Sequence, residues 1–157
     1  CRPQTKVAAV IGKDTLISRG KPTTQSSVGW SGRPSRAVDG NTNSRYSSGK
    51  CTHTKNRRPW WRVDLKAKYA IDRVVIWNRS DCCKTRLNKV QVYADSHRCG
   101  SIGAAKAMNT IKCNNKVARY VKVQQTRNDY LTLCEVQVYG RLAKIVAVGA
   151  STLVSRG

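Results

Sequence analysis

Hydrophobic and polar positions alternate along this chain in short runs of period two. The clearest are Ala70-Ile71-Asp72-Arg73-Val74-Val75-Ile76-Trp77, Val90-Gln91-Val92-Tyr93, Ala118-Arg119-Tyr120-Val121-Lys122-Val123 and Glu135-Val136-Gln137-Val138-Tyr139. Each is rich in β-branched and aromatic side chains, the composition of a half-buried strand. Segments rich in Gly, Asn, Ser and Lys separate them and read as loops. Helical periodicity is weak throughout. Short strands joined by long loops predict an all-β sandwich or jelly roll. The length of 157 residues suits one domain with a real core. No apolar stretch approaches the roughly 18 residues of a membrane span, so a soluble chain is expected.

One pattern recurs at the two ends. Thr15-Leu16-Ile17-Ser18-Arg19-Gly20 is matched by Thr152-Leu153-Val154-Ser155-Arg156-Gly157, with Ile exchanged for Val. The repeat predicts that a second copy of the domain begins near Lys144 and that further copies follow in a parent array. The expected organisation is an N-terminal extension over 1–13, one domain over 14–142, and a linker with the truncated start of the next repeat over 143–157. The chain starts at Cys1 without a charged-then-apolar leader, so any secretion signal is expected to lie outside it.

Charge narrows the partners. Thirty basic residues face eight acidic ones, a formal charge of +22. Self-repulsion of that size destabilises a compact state. It points to an acidic partner such as a sulfated or sialylated glycan or an anionic surface. Nucleic acid is not expected, because no helix-turn-helix, zinc finger or aromatic RNA-binding signature occurs. Seven cysteines, Cys1, Cys51, Cys82, Cys83, Cys99, Cys113 and Cys134, contain no C-x-x-C pair, and only His53 and His97 could join them. A zinc cluster is poorly supported; disulfides and an oxidising, extracellular compartment are expected, with one cysteine left over.

The motifs then converge. His53 lies in Thr52-His53-Thr54 after Cys51, and Arg79-Ser80-Asp81 is followed after four residues by Arg86. This resembles the signature of the F-type lectins. Gly20–Ser27 resembles that family's opening, Ala37-Val38-Asp39-Gly40-Asn41 its metal loop, Pro59–Leu65 a core strand and Leu133-Cys134-Glu135-Val136 its closing strand. The resemblance covers about Asp14 to Tyr139 and implies an F-type lectin sandwich of the galactose-binding-domain-like kind, stabilised by disulfides and calcium and recognising terminal L-fucose.

Elementary chemistry agrees with that site. Arg offers a rigid fork of donors and His one donor and one acceptor, so two Arg and one His can read a fixed array of sugar hydroxyls. Asp81 is assigned to orient the guanidiniums. The resemblance implies a Cys82–Cys83 bond whose flat face stacks on the sugar ring, although neighbouring Cα atoms are closer than disulfides prefer. It also implies Cys51–Cys134 and Cys99–Cys113, with Cys1 free. It implies calcium held by the side chains of Asp39 and Glu135 and the carbonyls of Arg36, Asn41, Lys50 and Cys134, a donor set of the kind calcium prefers. Trp30 or Tyr46 is expected against the sugar methyl, at least one of Trp60 and Trp61 in the core, His97 on the surface, and the Asn78-Arg79-Ser80 sequon unused.

Lys50, Lys55, Arg57 and Arg58 crowd beside His53 with no acid between them, predicting a salt-sensitive subsite for sulfated or acidic groups on fucosylated glycans. No enzyme is expected, since Asp81 has no acidic partner and disulfides consume the thiols. Tandem basic repeats resemble bivalve sperm bindins. They imply secretion, including into an acrosome-like vesicle, and gamete adhesion. The alternatives are microbial recognition in innate immunity and a polyanion-binding module with a weak fucose site.

Overall fold

A computed structural model of the protein describes residues 5–148. The architecture is all-β, as expected. Its strands are β1 (Thr5–Leu16), β2 (Thr23–Gln25), β3 (Trp60–Trp77), β4 (Gln91–Ala94), β5 (His97–Ser101), β6 (Met108–Gln124) and β7 (Glu135–Val148). They form a seven-stranded sheet in the order β1-β7-β3-β6-β4-β5, with β2 on β3. All the pairings are antiparallel.

Three strands, β3, β6 and β7, are much longer than the alternating runs suggested. β3 carries the PWWRVDL segment and the 70–77 run in one strand of 18 residues. The polar stretch Lys66-Ala67-Lys68 breaks the alternation at a register shift between Asp64 and Tyr69, where Lys66 adopts φ 69°. Beyond this bulge the strand exchanges one neighbour. Residues 61–63 pair with β2, while Tyr69–Trp77 pair with β7; β6 lies alongside both parts. A bulge bends and twists a strand. Both parts feed one core in which Trp61, Val63 and Leu65 meet Val74, Ile76, Val121, Val123, Val136 and Val138. Alternate residues between them face outward, which is why the period-two pattern was legible. Trp61 is buried and donates from Nε1 to the Pro34 carbonyl at 3.0 Å; Trp60 is half-buried. His97 is exposed.

The domain limits expected at 14 and 142 are not marked in the sheet. The β1–β7 ladder runs through both, from Thr5↔Val148 to Ala9↔Lys144 and on to Leu16↔Tyr139. Lys144–Val148, expected within the linker and truncated start of another copy, are paired with β1. The Thr152–Gly157 motif and Cys1 lie outside the described residues. The three disulfides are those the resemblance implied: Cys51–Cys134, Cys82–Cys83 and Cys99–Cys113. Among the described residues, no helix is long and apolar enough to cross a membrane.

Candidate functional site

The site is assembled where two loop segments are clipped together. Cys51–Thr54 runs beside Leu131–Cys134, closed at one end by the Cys51–Cys134 disulfide. Thr52 N–H donates to Leu133 O at 2.7 Å and Thr54 N–H to Leu131 O at 3.2 Å. In return the Thr52 and Thr54 hydroxyls accept the N–H groups of Leu133 and Leu131 at 3.0 and 2.9 Å. Both threonines are buried. The Thr-His-Thr alternation therefore spends its flanking side chains on the clip and leaves His53 between them to face the cleft.

A second loop is pinned behind His53. Gly29 N–H donates to His53 O and His53 N–H to Gly32 O, both at 2.9 Å. A Cβ on Gly32 would lie 2.3 Å from the His53 nitrogen, so this close approach requires glycine. Gln25 of β2 points its Nε2 at the carbonyls of Ser27, Gly32 and His53, at 2.7, 3.0 and 2.9 Å.

The polar groups of the cleft are mutually fixed. His53 Nδ1 lies 2.5 Å from Thr54 O, and Nε2 lies 3.3 Å from Arg86 Nη1. A carbonyl only accepts and a guanidinium only donates. The imidazole is therefore neutral, with its proton on Nδ1 and its lone pair on Nε2. Burial, followed by the charges of Arg86 and Arg79, holds its pKa below the usual 6.5, against the Thr54 carbonyl, which raises it. Arg86 also donates to Thr132 Oγ1 at 3.2 Å. Arg79 grips Asp81 through Nε at 2.6 Å and Nη2 at 3.4 Å. The bond from Arg79 depresses the Asp81 pKa to about 2, so the carboxylate stays charged.

Asp81 thus orients one guanidinium, where two were expected. The Arg86 Nε lies 3.9 Å from Asp129, a residue the motif does not contain. Asp129 also changes the basic subsite. It lies beside Lys55, Asn56, Arg57 and Tyr130 around a hollow of about 320 Å³, and 3.7 Å from Arg127. The cations that have no acid between them in sequence have one in space.

Aromatic rings wall the cleft, which has a volume of about 450 Å³ and is lined by Trp30, Tyr46, His53, Arg79, Cys82, Arg86 and Tyr130. The His53 ring centre lies 4.5 Å from Trp30, 5.0 Å from Tyr130 and 5.6 Å from Tyr46. Arg79 lies over Tyr46 at 4.7 Å and Arg86 over Tyr130 at 5.1 Å. Trp30 or Tyr46 was expected; both line the cleft, and the Tyr46 hydroxyl donates to the Trp30 carbonyl. Tyr130 was missed; its only signal is its place in Asp129-Tyr130-Leu131-Thr132, just ahead of the closing strand. Cys82 reaches the cleft, and Cys83 adopts φ 63° at the start of the turn that presents Arg86. Asn78 of the sequon is buried and donates from Nδ2 to Lys84 O at 2.9 Å. Its amide therefore braces this same turn.

The expected metal loop adjoins the cleft. Glu135 is buried, and its Oε2 accepts the Gly40 N–H at 2.9 Å, while its Oε1 has no hydrogen-bond partner. Burial raises its pKa to about 8, with Asp39 adding to the rise against the lowering effect of the Gly40 N–H. Two facing carboxyl groups with an orphaned buried oxygen fit a divalent cation, which would take up both. From this loop a ladder of side-chain turns runs to the cleft. Asn41 N–H donates to Asp39 Oδ1, Asn43 N–H to Asn41 Oδ1 and Arg45 N–H to Asn43 Oδ1, and the Tyr46 N–H then reaches Asp81 Oδ1 at 3.3 Å.

Comparison with known proteins agrees. The family model of the NedA-like galactose-binding domain matches residues 36–123. The chain is 38% identical to fucolectin-6 of Anguilla japonica over 118 residues, 69% of this chain and 63% of that one. Among solved structures, a fucose-binding module of Streptococcus pneumoniae shares 37% identity at a TM-score of 0.73, covering 80% of this chain and 95% of the module. The F-lectin (fucolectin) from Morone saxatilis (striped bass) serum shares 34% at a TM-score of 0.78, covering 83% and 48%. The chain spans 37% to 65% of the length of four of the curated relatives it matches. With the jelly-roll sheet and the converging His and Arg side chains, these likenesses place the chain in the F-type lectin (fucolectin) family of carbohydrate-binding domains, which are not enzymes.

Proposed function

We propose that the cleft binds terminal L-fucose on glycans through His53, Arg79 and Arg86. The observation that carries this is the fixed polarity of the three groups. His53 Nε2 offers an acceptor that a sugar hydroxyl would share with Arg86 Nη1, 3.3 Å away, and Arg79 and Arg86 offer donors whose planes are already set by Asp81, Thr132 and the aromatic rings. A neutral sugar presents hydroxyls that need both kinds of partner. Trp30, Tyr46 and Tyr130 offer apolar faces to the sugar methyl, and the Cys82–Cys83 ring a flat edge to the pyranose. Arg86→Ala strips donors from the sugar and leaves the His53 lone pair facing no guanidinium. Calorimetry should show fucose affinity lower by about 1.5–3 kcal/mol. Unchanged affinity with an intact fold would overturn the assignment.

Calcium in this reading is structural. Asp39 and Glu135, with the carbonyls of Arg36, Asn41, Lys50 and Cys134, would hold it, and the ion would neutralise the buried carboxylates without touching sugar. Secretion and a role in cell adhesion of the gamete-recognition kind are supported by the disulfides, the charge of +22 and the repeated end motif that suggests a tandem parent.

A further inference from the structure

We propose a second ligand site, for a sulfated polysaccharide, on the outer face of β3, β6 and β4. It uses none of the residues of the fucose cleft. The register puts Arg62 of β3 directly opposite Lys122 of β6, Lys122 opposite Tyr93 of β4, and Tyr93 opposite Arg98 of β5. At about 4.8 Å per strand these side chains form one row roughly 14 Å long. Arg62 lies over the Tyr120 ring at 4.6 Å and Lys122 over the Tyr93 ring at 4.9 Å. The rings hold the cations against the sheet, where an exposed Lys or Arg would otherwise sample many rotamers.

The neighbouring acids are already taken. Asp64 receives Arg119 through two bonds, of 2.8 and 3.0 Å. Asp95 receives Lys68 at 3.0 Å and the Arg119 and Tyr120 N–H groups at 3.2 and 2.9 Å. Arg62, Lys122 and Arg98 make no ion pair with a carboxylate among the described residues. Like charges directly opposite one another destabilise a sheet, so the Arg62–Lys122 pair is a cost that an anion bridging the two would remove. A hollow of about 440 Å³ opens over Arg62, Lys68, Arg119, Tyr120 and Lys122, with Ser96 and the already paired Asp95 also in its lining. A second, of about 220 Å³, adds the half-buried ring of Trp60.

Cations in a straight row suit a linear polymer that carries anions at intervals. The Arg62 fork matches the oxygens of a sulfate, and the face of Trp60 suits a sugar ring between sulfates. The oxidising compartment that disulfides require favours a sulfated polysaccharide over nucleic acid.

The test is calorimetry of the whole chain with heparin, which is sulfated and lacks fucose, at about 0.15 M ionic strength. Arg62→Ser/Lys122→Ser should weaken heparin binding about tenfold or more and leave fucose affinity unchanged. The control Lys112→Ser/Lys116→Ser removes the same charge from another exposed part of β6 and should bind heparin as the parent does. Equal losses in the two double variants would reduce the effect to net charge and overturn the site. Equally tight binding of the parent to a single-stranded DNA oligonucleotide, or to phosphatidylserine vesicles, would overturn the assignment to a sulfated polysaccharide.

Discussion

At the residue scale, the cleft depends on the protonation state of His53. Its Nε2 lone pair accepts from the Arg86 guanidinium, and burial favours the neutral ring that keeps it. Because the folded-state pKa lies below 6.5, the midpoint of any loss of fucose affinity on acidification should also lie below 6.5. An ordinary histidine would already have lost half its acceptors at 6.5. Stability follows the same sign: the unfolded chain takes up the proton first, so the contribution of His53 is complete above 6.5 and is lost as pH falls toward the folded value. Parallel titrations of fucose affinity and melting temperature would check this. A midpoint at or above 6.5 would contradict the buried, neutral ring. His53, Arg79, Asp81 and Arg86 were legible because each is chemically distinctive and stands at a recognisable spacing. Tyr130 and Asp129 were not: Tyr130 meets His53 and Trp30, and Asp129 meets Arg86, across more than forty residues of sequence, and nothing in the local pattern marks a loop tyrosine as a wall or a loop aspartate as a counter-ion.

At the element scale, the cleft is held by loops braced against one another, and two of these braces meet at the Cys51–Cys134 disulfide. Glu135 follows directly on Cys134, and the turn ladder from Asp39 ends at Tyr46, a wall of the cleft. A cation at Asp39 and Glu135 would therefore stabilise the fold and hold the Tyr46 wall in place at once. At a free calcium concentration a hundredfold above Kd, binding to the native state alone is worth about 2.7 kcal/mol. Chelator should lower the melting temperature by several degrees, and Glu135→Gln should abolish that response. A melting temperature indifferent to chelator would remove the metal. The strands themselves were easier to read. Alternating buried positions run through parts of β3, β6 and β7, as in Trp61-Val63-Leu65, Val121-Val123 and Val136-Val138, but the bulge at Lys66 hid the continuity of β3, because a run of polar residues in a strand looks like a loop.

At the scale of the whole molecule, the excess of basic charge is not spread evenly. Part of it converges on the cleft of His53, Arg79 and Arg86 and part lies in a row on the outer sheet, while the loop Lys55–Arg58 shares its surroundings with Asp129. Charge counted along the chain could not separate these places, since the strand register that aligns Arg62 with Lys122 is a property of the fold.

The pairing of β1 with β7 also decides how the molecule meets a mechanical load. Thr5 and Val148 sit side by side at one end of the ladder. Tension applied between them would load the hydrogen bonds one after another from that end, as in a zipper, so the strands should peel at low force. Peeling stops at a covalent barrier. His53, Arg79, Arg86 and Tyr130 all lie between Cys51 and Cys134, which are 83 residues apart in sequence and bonded to each other. At about 3.5 Å per residue, roughly 290 Å of chain is withheld from extension while that bond is intact. In single-molecule pulling between positions 5 and 148, an early low-force event should leave fucose still bound, and adding reductant should release the missing length. Loss of fucose in the first event would show that the outer strands bear the load of the cleft. A binding module built this way would yield at its edge before it let go of its ligand.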